Sequence, residues 1–129
     1  MIVCDANVLI GFLDRSDSHH DSVVTLLEKE FVRGLGASVL TLAEALVHPA
    51  QRGLDIKSEM TLKRIGMKFF PIEEGDATAL ARVRGTYRVR MPDAVVMWTA
   101  MTLGAQLATT DETLARVATE AGLEVVEVG

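Results

Sequence analysis

Four carboxylates carry the chemical interest of this chain: Asp5, Glu44, Asp93 and Asp111. Asp5 ends the short apolar run Ile2-Val3-Cys4, and Asp111 follows the run from Gln106 to Ala108. Glu44 stands among apolar neighbours in LTLAEALV, and Asp93 comes directly after Met91-Pro92. Two carboxylates about 4 Å apart repel by ~1 kcal/mol in water and by ~4 kcal/mol at an effective dielectric near 20. Four in one pocket would destabilise the fold or push some of their pKa values up. A divalent cation reverses that sign, and an all-oxygen acidic set suits Mg²⁺ or Mn²⁺. Such a cation activates a water and stabilises charge that builds on a phosphoryl group. The chemistry implied is phosphodiester hydrolysis.

Each acid also has a structural reading. Asp5 is placed to cap a helix over 6–13, and Asp111 to cap the helix after it, where Thr109, Thr110 and Glu112 resemble a helix start. Asp93 in a first helical turn favours the helix dipole. Glu44, in mid-helix, has no capping role and would face solvent.

The elements that must position these acids follow from the apolar patterning. Ile2 to Cys4, Ala37 to Leu40, Lys68 to Ile72, Gln106 to Ala108 and Leu123 to Val128 read as five short strands. Helices are expected over 6–13, from Asp17 or Ser18 with the stripe Val23, Val24, Leu27 and Phe31, from Thr41 to a break at Pro49, over 55–66, over 75–88, over 92–103 and from Asp111 to Ala121. Gly34 and Gly36 read as a stop and a turn. The segment PDAVVMWTAMTL is apolar almost all round, opens with Pro and precedes Gly104, so it reads as a helix buried on most sides. Strands alternating with helices indicate an α/β fold with a parallel sheet covered on both faces. In such sheets ligands bind at the carboxyl ends of strands. Asp5 and Asp111 mark two such ends, and they meet if the first and fourth strands are neighbours.

The 129 residues are enough for one domain, taken as 1–129. Hydrophobic residues make up 49% and the mean hydropathy is +0.25, so a partner or a second copy is expected to cover part of the apolar surface. A net charge of −5 argues against coating nucleic acid by bulk electrostatics, while leaving room for a nucleic-acid enzyme with its acids gathered in one site. The single cysteine, Cys4, offers no internal disulfide and no metal motif, and reads as a buried inert thiol. No basic region precedes the first apolar run, and no apolar stretch approaches the ~20 residues of a membrane span. A reducing, cytoplasmic setting is the default expectation. His19, His20 and His48 fit surface or helix-end positions, and no nucleophile–histidine constellation or phosphate-binding glycine motif is present.

The ordered set MIVCDANVLIGFL, SVLTLAEALVHPAQRG, RMPDAVVMWTA and LATTDETLAR resembles a PIN domain, most closely the toxin half of VapBC-type toxin–antitoxin pairs. The resemblance covers essentially the whole chain. It implies a three-layer α/β/α fold around a central parallel five-stranded sheet. It also implies an endoribonuclease dependent on Mg²⁺ or Mn²⁺, an RNA substrate and a cognate antitoxin. The family's acids fall on Asp5, Glu44, Asp93 and Asp111. Asp5 and Asp93 would chiefly hold the metal, with Asp111 completing the site directly or through water and Glu44 binding metal or orienting the water. Asn7 and Thr109 would support these ligands by hydrogen bonds. Ala6 departs from the Thr or Ser that many relatives carry. Arg82, Arg84, Arg88 and Arg90 are the nearest candidates for substrate phosphates, ahead of Lys57, Lys63, Arg64 and Lys68.

Apolar residues in 8–13 and 23–31 are expected to form the partner's groove, and helix 92–103 with its surroundings to support a homodimer. Two other functions compete. One is a phosphatase of the haloacid-dehalogenase type with Asp5 as covalent nucleophile, although Asn7 stands where that family has its second Asp. The other is a PIN module that binds RNA or protein without catalysis.

Overall fold

Five runs of three or four residues pair side by side in the computed structural model, which describes residues 1–129. They are β1 (Ile2–Cys4), β2 (Leu35–Ser38), β3 (Met67–Phe70), β4 (Gln106–Thr109) and β5 (Val125–Glu127). All pairings are parallel, in the order β3-β2-β1-β4-β5. The chain moves outward from β1 through β2 to β3, then returns to lay β4 against the other side of β1. The direction therefore reverses between β1 and β4, where a parallel sheet opens its ligand crevice at the carboxyl ends. Cys4 pairs with Ala108, so the residues that follow both strands emerge together.

Eight helices connect and cover the sheet: α1 (Ala6–Leu13), α2 (His20–Glu30), α3 (Val39–Ala45), α4 (Val47–Gln51), α5 (Asp55–Arg64), α6 (Ala77–Tyr87), α7 (Met91–Leu103) and α8 (Glu112–Glu120). Alternation along β1 divides the interior in two. Ile2 and Cys4 join Leu35, Ala37 and Ala108 in one cluster with Val8 and Leu9 of α1, Val23 and Leu27 of α2, and Leu42 of α3. Val3 points the other way and joins Leu107 with Val96, Met97 and Ala100 of α7 and Leu114 and Ala118 of α8. Two apolar layers on opposite faces of one sheet make the three-layer α/β/α arrangement expected from the sequence.

Several boundaries shift, each for a physical reason. β2 begins at Leu35, not Ala37, and Gly36 lies inside it rather than in a turn. A Cβ at Gly36 would stand 2.8 Å from Phe70 Cε2 and 3.1 Å from Met1 Sδ, so the glycine admits an aromatic ring against the strand. Gly34 does turn the chain, at φ +102°. α3 starts at Val39, two residues before Thr41, because Ser38 caps it by accepting the Leu40 N–H at 3.0 Å. The segment then breaks at Leu46 and resumes as α4, which contains Pro49. α2 starts at His20, with Asp17 accepting the His19 N–H at 2.8 Å just ahead of it. Phe31 leaves the apolar stripe of α2: the helix ends at Glu30, and a 3-10 turn over Phe31–Arg33 swings the ring outward to 59% exposure.

α7 meets the expectation for an all-round apolar helix, with Ala94, Val95, Val96, Met97, Thr99 and Ala100 buried and Gly104 at φ +60° ending it. That burial is internal, so the apolar middle of α7 is not available to a second copy. Likewise Val8, Leu9, Val23 and Leu27 belong to the core and not to an open partner groove. Cys4 is buried and unpaired, and burial with the neighbouring Asp5 charge pushes its thiol well above the usual range. No helix is long and apolar enough to cross a membrane.

Candidate acidic site

The β1–α1 junction forces Asp5 into an extended backbone (φ −81°, ψ 174°), and its Oδ1 accepts the Val8 N–H at 2.9 Å. The capping reading is therefore correct, but it uses only one carboxylate oxygen. Oδ2 accepts the Thr109 hydroxyl at 2.5 Å. The same Thr109 oxygen accepts the Asp111 backbone N–H at 2.9 Å. One fully buried hydroxyl at the end of β4 thus fixes both the Asp5 side chain and the start of the Asp111 loop. Asp111 also caps its helix, its Oδ1 accepting the Thr113 and Leu114 N–H groups at 2.8 and 3.2 Å. Its Oδ2 has no protein donor. Asp93 lies half-buried in the first turn of α7, with Arg90 Nε 3.9 Å from its Oδ2.

Electrostatics link these three acids. Burial pushes the Asp5 carboxyl up to about 6. The Thr109 and Val8 hydrogen bonds oppose that rise, and the Asp93 and Asp111 charges add to it. Burial also raises Asp93, with Arg90 acting against the shift and Asp111 with it. Burial, more than mutual repulsion, is what disfavours charge on these carboxylates, and the neighbouring acids add to it.

The sequence-predicted residues separate accordingly. Thr109 joins Asp5 to the start of the Asp111 loop at the β1–β4 crevice, and Asp93 is near enough for its charge to act on Asp5. Glu44 is exposed in the second turn of α3, outside the charges that act on Asp5 and Asp93. The start of α3 at Val39 puts it about half a turn deeper into the helix than a start at Thr41 would. Asn7 is exposed in the first turn of α1 and makes no side-chain hydrogen bond. Asp93 and Asp111 line an open cleft of about 610 Å³ together with Arg88 and Arg90 from the α6–α7 loop and Arg116 from α8. Arg82 and Arg84 are exposed on α6 outside this cleft. The sequence reading passed over Arg116. Its one signal is position, five residues after Asp111 on the helix that Asp111 caps.

The site's fitness for a divalent cation is a matter of donor chemistry. Asp5 keeps a free lone pair on each oxygen, Asp111 keeps a whole oxygen, and Asp93 has only a distant cation. No three acids close into a cage. A hard cation such as Mg²⁺ needs only one or two carboxylates when water and phosphate oxygens complete its octahedron. The donor set fits that mode of binding.

The PIN domain family profile matches residues 2–120. The chain belongs to the PIN domain family. Solved structures repeat the fold at low identity. The chain is similar to a crystal structure of FitAcB from Neisseria gonorrhoeae, with a TM-score of 0.77, 21% identity, and 98% of this chain and 97% of that one covered. It is similar to VapBC2 from Rickettsia felis bound to a DNA fragment from their promoter, at TM-score 0.76, 14% identity and complete coverage of both chains. It is also similar to the sarcin–ricin-loop-cleaving toxin VapC20 of Mycobacterium tuberculosis, at TM-score 0.71 and 14% identity, covering 98% of this chain and 99% of that one. A search of curated proteins finds no match. PIN membership leaves the haloacid-dehalogenase reading without support.

Proposed function

We propose that this PIN domain is a divalent-metal-dependent endoribonuclease and the toxin of a toxin–antitoxin pair. The observation that carries the reading is the Thr109 hydroxyl that ties Asp5 to the Asp111 loop at the β1–β4 crevice, with Asp93 close by in the first turn of α7, in a chain matched to the PIN family over residues 2–120. Asp5 and Asp93 would hold Mg²⁺ or Mn²⁺, with Asp111 joining through its free Oδ2 directly or by way of water. Glu44, exposed on α3, remains the candidate for orienting water from outside this group. Bound there, the cation would lower the pKa of a water and offset charge on the phosphate under attack. Thr109 holds Asp5 in one rotamer, and Val8 N–H fixes its other oxygen, so the carboxylate is oriented before anything binds. Asn7 stands near the same helix start and would contribute through the substrate or solvent.

Partners follow from surface chemistry. Ile10, Leu13, Ala45, Pro49 and Leu54 line a groove of about 570 Å³ beside α1, α4 and α5, and an antitoxin segment would seat there. The complexes of similar structures support an antitoxin partner. A homodimer would use exposed apolar residues of α3 and α5, not the interior of α7.

The test is cleavage of a mixed pool of end-labelled RNAs in Mg²⁺, in Mn²⁺ and in EDTA, with Asp93→Asn purified identically. Cutting that needs metal and drops at least about 100-fold in the variant is expected. Equal cutting by both proteins would show a contaminant and remove the assignment.

A further inference from the structure

The cleft beside the acids carries charges that metal chemistry does not use. Three arginines converge on it from two separate elements: Arg88 and Arg90 from the α6–α7 loop, and Arg116 from α8. Two are loosely held. Arg90 Nε is 3.9 Å from Asp93, and Arg116 Nη1 is 3.4 Å from Glu120 with both side chains largely exposed. The Arg116–Glu120 pair, exposed on both sides, stabilises little and leaves Arg116 available to another anion. Arg88 has no carboxylate within ion-pair distance. It also ends α6 in the left-handed region, at φ +57° and ψ +41°, the only residue other than glycine in the chain at positive φ. That conformation crowds the Cβ of any residue but glycine, and it turns the chain into the loop that bounds the cleft.

A chain with net charge −5 thus sets three arginines along the lining of one cleft, beside Asp93 and Asp111 of the proposed metal site and with Glu120 in the same lining. Guanidinium groups match phosphate oxygens bidentately, which a lone ammonium does not. We propose that Arg88 and Arg116 seat a backbone phosphate of the RNA adjacent to the one that is cut, so that the strand enters along the cleft between the α6–α7 loop and α8. The proposal rests on the nuclease reading of the same site. Arg90 is left with Asp93, where it tempers the acid's charge. Arg116 is a substrate-binding residue that exchanges Glu120 for phosphate when RNA arrives.

The experiment measures binding apart from catalysis. Fluorescence anisotropy of a 2′-O-methyl octanucleotide in EDTA is recorded against salt concentration for the wild type, Arg88→Gln, Arg116→Gln, Arg116→Lys and the equal-charge control Lys29→Gln on α2. Loss of either arginine is expected to weaken binding about tenfold and to flatten the logarithmic salt slope by about 0.7, the share of one single-strand phosphate contact. Arg116→Lys keeps the slope and loses part of the affinity, and Lys29→Gln matches the wild type. Thermal melts check that each variant is folded, as both arginines are exposed. Wild-type affinity and slope in both glutamine variants would overturn the phosphate seat. Metal-dependent cleavage of the RNA pool by the wild type is scored in parallel. Arginine-dependent binding without any cleavage would overturn the nuclease reading and keep the seat.

Discussion

Asp5 is both a helix cap and a strained charge, and the two roles give opposite pH signatures. A cap whose carboxylate is simply stabilised would have a depressed pKa and would lose its contribution as pH falls. Asp5 is instead pushed up to about 6 from 3.8, because burial outweighs its two hydrogen bonds. The folded chain therefore holds the proton more tightly than the unfolded chain. Its contribution is complete below pH about 4 and is lost as pH rises through about 6, a change of about 3 kcal/mol for a group that is almost fully buried. Urea melts of the metal-free protein should show that fall between these limits. Asp5→Asn should remove most of it, leaving a variant more stable than the wild type at about pH 8. Added Mg²⁺ should raise wild-type stability there and leave the variant unmoved. An unaltered pH slope in the variant would place the strain elsewhere. Under the proposed nuclease reading, such stabilisation on loss of the charge is the expected signature of a buried carboxylate kept for catalysis.

At the scale of elements, Gly36 shows where local reading and tertiary demand part. Its neighbours Gly34 and Leu35 made it look like turn chemistry, yet it is an interior residue of β2 that lets Phe70 lie across the strand. Gly36→Ala should cost about 1–2 kcal/mol, since the half-buried ring must move, and most of the cost should go in a Phe70→Leu background, leaving the smaller contact with the flexible Met1 side chain. Chemical denaturation of the four proteins of that cycle measures it, and an additive result would assign the effect to strand entropy alone. The rest of β2 and α3 follows the same lesson. The sequence revealed that a strand precedes a helix there, and it placed both two residues late because Ser38 reads as strand while acting as cap. That slip bears on the site: with α3 starting at Val39, Glu44 stands in its second turn, further from the helix start than a start at Thr41 would place it. The junctions at Asp5 and Asp111 were legible because a short apolar run meets a capping residue in both. The neighbour relation of β1 and β4 was not, because no local signal tells a strand whether the chain has turned back. Arg116 was invisible for the same reason, as its relation to Arg88 exists only once α6–α7 and α8 share a cleft.

For the whole molecule, the unexplained quantity is apolar surface. Eleven large hydrophobic residues are exposed, and six of them lie between residues 39 and 60: Val39, Leu40, Val47, Leu54, Ile56 and Met60. Single exposed apolar residues are ordinary, but more than half of them fall in the one stretch that runs from α3 to α5, which makes that stretch the candidate contact surface. Ile56 and Met60 stand one turn apart on the same face of α5 and are 72% and 47% exposed. The core does not need them, because α5 anchors itself through the fully buried Leu62. A twofold contact would bury such a patch against its own copy, the commonest arrangement for a homodimer. Sedimentation of the wild type should then give twice the 14.0 kDa chain mass. Ile56→Asp should return the monomer with an unchanged melting temperature per chain at high dilution, since the side chain is in water when the copies separate. A monomeric wild type would reassign the patch to the antitoxin. A dimer that survives Ile56→Asp would move the contact off α5, and with it the orientation in which two clefts present their arginines to RNA.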